Sequence, residues 1–207
     1  MEDKSILIVI SGFSGAGKGT LVKRLISDYD NYALSVSMTT RAPRPGEVEG
    51  KDYFYVTKEA FEERIRDNGL IEYAQYVGNY YGTPRDYVEE QLAKGRDVIL
   101  EIEIQGALKI REQYKDALLL FVMPPSAAEL KNRLLKRATE TEEAIRNRLR
   151  RAAEESEGID EYEYIVINDD LDACVRELHS LIRAAHYAAK RNEGFISRIK
   201  SELETYR

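Results

Sequence analysis

Lys18 is the residue around which the chemistry of this chain gathers. It sits in the stretch Gly12-Phe13-Ser14-Gly15-Ala16-Gly17-Lys18-Gly19-Thr20, which follows the apolar run 6–10 and precedes a helical pattern. Glycines at this spacing let the backbone turn its N–H groups toward one point, where they can meet phosphate oxygens. The start of the following helix adds its positive end. The lysine adds a mobile point charge suited to β- and γ-phosphates. Strand, loop and helix in this order read as a phosphate-binding loop, and by itself that means a nucleoside triphosphate binder and no more. Gly19 stands where such loops usually carry Ser or Thr, whose hydroxyl binds Mg²⁺. Thr20 is the next hydroxyl in line. Mg²⁺ held mainly through water is another route, because the ion keeps its waters readily.

A second anion receptor is readable in 35–56, SVSMTTRAPRPGEVEGKDYFYV. Arg41 and Arg44 are three apart, held by Pro43 and Pro45, with Tyr53 shortly downstream and Tyr81 later. Two guanidiniums and tyrosine hydroxyls suit a terminal monophosphate dianion; taken alone, the same residues also fit a solvated loop. A further basic cluster lies in 131–151, where eight Lys/Arg face three Glu.

Positioning such groups requires a scaffold. The apolar runs 6–10, 98–103, 118–123 and 164–167 read as buried strands, and their near-continuous apolarity suggests central parallel ones. Helical stripes alternate with them: Leu21, Val22, Leu25 and Ile26, then Leu171, Val175, Leu178 and Ile182 with Cys174 on the same face. Strands alternating with helices imply βαβ units, hence an α/β fold with a parallel sheet.

Two stretches break the rhythm. Residues 37–88 read as short strands around a helix at 58–68, with Thr57 as N-cap and Gly69 just past its end. In 127–158, Ser126…Glu129 and Thr139…Glu142 each fit a capping box and predict two consecutive Arg-rich helices. Thr83 with Pro84 predicts the start of another helix, closed by Gly95. The tail from Arg191 reads as a loosely attached helix.

Composition narrows the class. The chain has 207 residues, 43% hydrophobic and 33% charged, which suits an ordinary globular protein. A net charge of −6 argues against a nucleic-acid coat. No apolar run approaches the roughly 18–20 residues of a membrane span, and the charged first residues lack a signal-peptide core. The single cysteine, Cys174, cannot pair internally, so a reducing cytoplasm is expected. His179 and His186 lack partners at metal-ligand spacing.

The chain closely resembles the guanylate kinase family. The resemblance runs from about residue 5 to 186 and rests on Thr39-Thr40-Arg41, Arg44, Glu47, Gly50, Tyr53, Tyr55 and Val56. It continues in LIEYAQYVGNYYGTP (70–84), VILEIEIQGA (98–107), PPSAAELKNRL (124–134), RATETEEAIRNRL (137–149) and VINDDL (166–171), in the family's order. It implies a P-loop NTPase three-layer fold: a core at 1–36, 89–126 and 159–190, an inserted GMP-binding subdomain at 37–88, a helical lid at 127–158 and an extension at 191–207. The implied reaction transfers the γ-phosphate of ATP to GMP or dGMP with Mg²⁺. Gly12 to Thr20 would hold ATP, and Asn168 would lie near its adenine. Arg41, Arg44, Tyr53 and Tyr81 would hold the GMP phosphate, while Ser37, Glu72 and Thr83 face guanine. Arg133, Arg137 and Arg148 would close over the phosphates, acting with Lys18 and Arg41 in catalysis.

The chemistry of guanine fits this. Its N1–H and N2–H₂ are adjacent donors that one carboxylate such as Glu72 can accept, whereas adenine leaves that carboxylate unpartnered. Glu101 is expected near the Mg²⁺ water shell and Glu103 near the base or ribose; many family members carry Asp there. Ala138 replaces a usual glycine in the lid, and Phe13 replaces a common proline, a change expected to be neutral in a loop that works through its backbone. A different small kinase, for adenylate or a sugar phosphate, and a non-catalytic binding module of the same fold are the competing readings. No nucleic acid or membrane partner is expected.

Overall fold

The computed structural model describes residues 5–76, 78–136 and 141–207. The chain runs through β1 (Leu7–Gly12), the glycine-rich loop, α1 (Lys18–Asp28) and β2 (Tyr32–Leu34). An excursion follows through β3 (Met38–Thr39), β4 (Phe54–Tyr55), α2 (Lys58–Arg66), β5 (Leu70–Tyr76) and β6 (Asn79–Pro84). Then come α3 (Arg85–Ala93), β7 (Asp97–Glu101), α4 (Ile104–Gln113) and β8 (Leu118–Met123). The helix pair α5 (Ala127–Lys136) and α6 (Glu142–Ser156) precedes β9 (Tyr164–Ile167), α7 (Leu171–His186) and α8 (Glu193–Glu204).

The main sheet has the order β2-β7-β1-β8-β9, and every pairing in it is parallel. β1 is central, with Ile8 opposite Ile99 on one side and Leu118 on the other. Ile8 and Ile10 pack into a cluster with Leu21, Leu25, Cys174 and Leu178. Leu7 and Val9 point to the other face and join Val88, Ile110 and Phe121. Covering both faces demands side chains that are apolar at successive positions, which is why β1 reads as a run rather than an alternation. Ile8 is fully buried, so Ile8→Ala would cost about 2–5 kcal/mol.

The excursion forms a second, four-stranded sheet in the order β4-β3-β6-β5. Its small core is Met38, Phe61 and Leu70, with the Tyr80 ring stacked on Phe61 at 5.1 Å. Thr57 caps α2 as expected, its side chain accepting from Ala60 N at 3.2 Å. The helix stops at Arg66, and Asn68 takes the left-handed conformation (φ 53°) that ends it, one residue before Gly69.

α5 and α6 bury Leu130, Leu134, Ile145 and Ala152 against one another. Ser126 caps α5 by accepting from Glu129 N at 3.1 Å. The cap of α6 is Thr141, which accepts from Ala144 N at 3.3 Å. The expected cap Thr139 lies outside the described residues, as do Arg137 and Ala138.

Besides the end of α2, two boundaries and one loop residue differ from expectation. β7 ends at Glu101, so Glu103 is not a strand residue but the N-cap of α4. Thr83 and Pro84 are the last residues of β6, and α3 begins at Arg85; Thr83 caps nothing because its hydroxyl is used elsewhere. Phe13 is not a neutral loop position: its ring meets Phe121 edge-on at 5.1 Å and packs against both core clusters and the α5–α6 cluster.

Cys174 is buried, and burial pushes its thiol up to about 11, which suits a core residue. His179 stacks on Tyr29 at 3.7 Å, and His186 Nε2 lies 2.9 Å from Asp97 Oδ2. α8 buries none of its side chains; Asn192 Nδ2, donating to His186 O at 2.8 Å, ties its start to α7. Among the described residues no helix is long and apolar enough to cross a membrane.

Candidate active site

The glycine-rich loop leaves β1 at the centre of the sheet and enters α1 directly. Gly17 is the N-cap of α1 and has φ +90°. No side chain caps this helix, so its first N–H groups are open to an anion, reinforced by the helix dipole. A Cβ at Gly17 would lie 2.5 Å from Asn168 Nδ2, and one at Gly12 would lie 2.0 Å from Val122 O. Both positions therefore exclude any side chain. Lys18 Nζ donates to Gly12 O at 2.5 Å, folding the side chain back across the loop.

Asn168, expected near adenine, also holds the loop itself. Its side chain is buried and donates to Ala16 O at 2.8 Å, while its own N–H donates to Met123 O at 2.8 Å. It pins the loop to the end of β8. Two arginines of α5 and α6 approach the same loop. Arg148 Nη1 donates to Ser14 Oγ at 3.2 Å. Arg133 Nη1 lies 3.5 Å from Ala16 O, its Nε donating to Glu129 at 2.8 Å.

Glu101 ends β7 beside this loop. Protein crowds one side of its carboxyl and raises its pKa, against the pull of Lys18 and Lys23. Gly19 faces it: a Cβ there would stand 3.5 Å from Glu101 Oε1. Glycine after the lysine thus leaves the space in front of the carboxylate open. Thr20 is exposed in the first turn of α1. No group of three or more His, Cys, Asp or Glu able to hold a metal occurs among the described residues. One hard carboxylate with open space in front of it, next to a phosphate-binding loop, fits an ion such as Mg²⁺ that keeps most of its waters and takes its other ligands from phosphates.

Between the two sheets lies a cavity of about 380 Å³. Ser37, Tyr53, Glu72, Tyr81, Glu101 and Glu103 line it, with Lys18 at one end. Glu72 is the buried carboxylate of the set. Burial raises its pKa, opposed by the hydroxyl of Thr83, which donates to Glu72 Oε1 at 2.8 Å. Thr83 is therefore a support for Glu72 and is not among the lining residues. Glu72 Oε2 faces Gly106, where a Cβ would come within 3.2 Å.

Arg41 is not among the lining residues either. Its guanidinium forms a two-pronged pair with Glu47 at 2.9 and 3.0 Å and lies 5.3 Å from the Tyr53 ring centroid. The Arg41 hydrogen bonds, followed by the backbone N–H of Arg44, hold Glu47 down to about 2. Glu47 also accepts from Tyr55 Oη at 2.8 Å, so one carboxylate organises the whole 41–55 loop. Arg44 is exposed. Sequence reasoning assigned no role to Glu47, although its place three residues after Arg44 was visible. It also missed Arg151, which donates to Glu103 across the cavity rim.

The comparisons agree with this geometry. The family model described as guanylate kinase matches residues 4–185. A guanylate kinase of Oceanobacillus iheyensis is 50% identical over 191 residues, covering 92% of this chain and 93% of that protein. The guanylate kinase of Bacillus subtilis is 48% identical over 192 residues, covering 92% and 94%. The crystal structure of guanylate kinase from Anaplasma phagocytophilum superposes with a TM-score of 0.73 at 34% identity, covering 90% of this chain and 89% of that one. A parallel sheet carrying a phosphate loop, a second sheet roofing a carboxylate-lined cavity and a match over nearly the whole length lead to one conclusion: this chain belongs to the guanylate kinase family.

Proposed function

We propose that the chain transfers the γ-phosphate of ATP to GMP or dGMP, with the acceptor base bound at Glu72. The observation that carries this reading is the state of that carboxylate. Oε1 accepts from Thr83, and Oε2 lies beside Gly106, which with Glu72 lines the cavity. A buried carboxylate with an unused oxygen is costly unless a ligand supplies donors. Guanine supplies two adjacent ones, N1–H and N2–H₂. Adenine has neither a proton at N1 nor a 2-amino group, so it would leave Glu72 unpartnered.

The remaining roles follow from charge. The backbone N–H groups of 12–20 and Lys18 hold the donor phosphates. Arg41, Arg44, Tyr53 and Tyr81 receive the acceptor monophosphate, which requires Arg41 to exchange part of its pairing with Glu47 for phosphate. Ser37 and Glu103 line the nucleoside end. Residues 37–88 act as the acceptor subdomain and 127–158 as the lid, the rest serving as core. Phosphoryl transfer needs in-line positioning, neutralised charge and exclusion of water rather than a protein nucleophile. Arg133, Arg148 and Arg137 bring positive charge over the phosphates, and lid closure keeps water from accepting the phosphoryl group. Glu101, with Thr20 nearby in sequence, would hold Mg²⁺ through water, and the ion would supply positive charge against the phosphates.

The test is a coupled ADP-release assay with GMP, dGMP, AMP, CMP and UMP as acceptors. GMP and dGMP should be turned over with kcat/KM at least about 10³-fold above AMP. Equal use of AMP would overturn the assignment of Glu72.

A further inference from the structure

We propose that Arg151 is a positioning residue for the acceptor nucleotide: from the lid helix α6 it fixes the carboxylate of Glu103 on the cavity wall. This inference rests on the assignment of the cavity to GMP.

The guanidinium spans two elements. Its Nη2 donates to Glu103 Oε2 at the start of α4, and its Nε donates to Glu155 Oε1 at 3.1 Å within α6. Glu103 is the N-cap residue of α4, yet its side chain makes no cap hydrogen bond. An N-cap carboxylate ordinarily accepts from N–H groups of its own first turn. Here it is drawn outward to the lid instead. The turn that follows α6 comes close to the same helix start: a Cβ at Gly158 would come within 2.8 Å of Ile104 Cδ1. Glu103 and Arg151 also share the wall of a side recess of about 120 Å³ with Gln105 and Glu155, and Glu103 and Gln105 continue into the main cavity.

Charge gives the pairing a purpose. The main cavity is lined by Glu72, Glu101 and Glu103 against Lys18. A monophosphate dianion entering it meets an excess of negative charge. Arg151 offsets the charge of Glu103 and holds its second oxygen toward the ligand. The pair is partly exposed, with side chains 37% and 64% accessible, so the fold gains little from it. Its effect falls on where one carboxylate points.

The experiment compares wild type, Arg151→Ala, Arg151→Met (which keeps the aliphatic stem) and Arg151→Lys in steady-state kinetics, with Tm measured on each. KM for GMP should rise roughly tenfold in the Ala and Met variants, equivalent to about 1.4 kcal/mol. KM for ATP and kcat should change less than threefold. Lys should restore part of the loss. In a double-mutant cycle, adding Glu103→Ala to Arg151→Met should cost little beyond Glu103→Ala alone. A KM for GMP within twofold of wild type in either truncation overturns the proposal, as does an equal rise in both KM values with a fallen Tm, which marks a strut and nothing more. A wild-type protein that fails to phosphorylate GMP sinks the function itself; an active wild type with indifferent variants sinks only the role of Arg151.

Discussion

Replacing Asn168 by Ala separates two accounts of the phosphate loop. The buried side chain donates to Ala16 O at 2.8 Å and fills the space against Gly17. Its removal leaves a carbonyl without its main partner, since the other approach to Ala16 O, from Arg133, is 3.5 Å long. An orphaned buried acceptor costs about 1–3 kcal/mol. At roughly 2–4 °C per kcal/mol for a chain of this size, Tm should fall on the order of 5 °C. The loop that loses its pin also holds the donor phosphates, so affinity for every nucleoside triphosphate should fall by roughly tenfold, whatever its base. Calorimetry with ATP and with GTP, beside a thermal melt, reads both effects. An unchanged Tm together with a loss confined to ATP would refute the pin and leave Asn168 with the adenine contact alone.

Gly17→Ala forces a side chain into left-handed backbone and to within 2.5 Å of Asn168 Nδ2; turnover should drop at least about 100-fold, checked by the ADP-release assay. Glu72→Gln should raise KM for GMP about 10–100-fold, through loss of charge-assisted hydrogen bonds. Its folded-state pKa is raised, so the native state holds its proton more tightly and stability is lost as pH rises through that pKa. Gln removes this cost, and a melt at pH 8 should show the variant at least as stable as wild type. Glu47 behaves in the opposite sense. Its folded value of about 2 lies below the ordinary 4.5, so its contribution is present above 4.5 and disappears as pH falls toward 2. Carboxyl NMR titration should give a midpoint near 2, moving up toward 4.5 in Arg41→Ala; an unmoved midpoint would exclude Arg41 as the main cause.

Much of the scaffold could be read from residue types because each type had one physical job. The strands 118–123 and 164–167 have the expected bounds; β8 is covered on both faces, but β9 is an edge strand in which only Val166 is buried, not the buried central strand its apolar run suggested. The glycine loop was readable because positive φ and close approach exclude side chains. β3 and β4 are two residues each, too short for any periodicity; they exist because distant partners pair with them. Thr83 looked like a cap because Thr-Pro opens many helices, but its true partner, Glu72, is brought to it by the β5–β6 hairpin. Arg151 and Glu103 lie 48 residues apart, and only the tertiary fold brings α6 beside the start of α4. Phe13 was judged by its backbone, while its ring locks the loop to the core.

The most direct measurement is a crystal structure with GMP and a non-hydrolysable ATP analogue bound together. The account predicts guanine N1 and N2 within hydrogen-bond distance of Glu72, the monophosphate on Arg41 and Arg44, and the triphosphate over 12–20. Guanine bound away from Glu72, or both nucleotides stacked on the glycine loop, would contradict it.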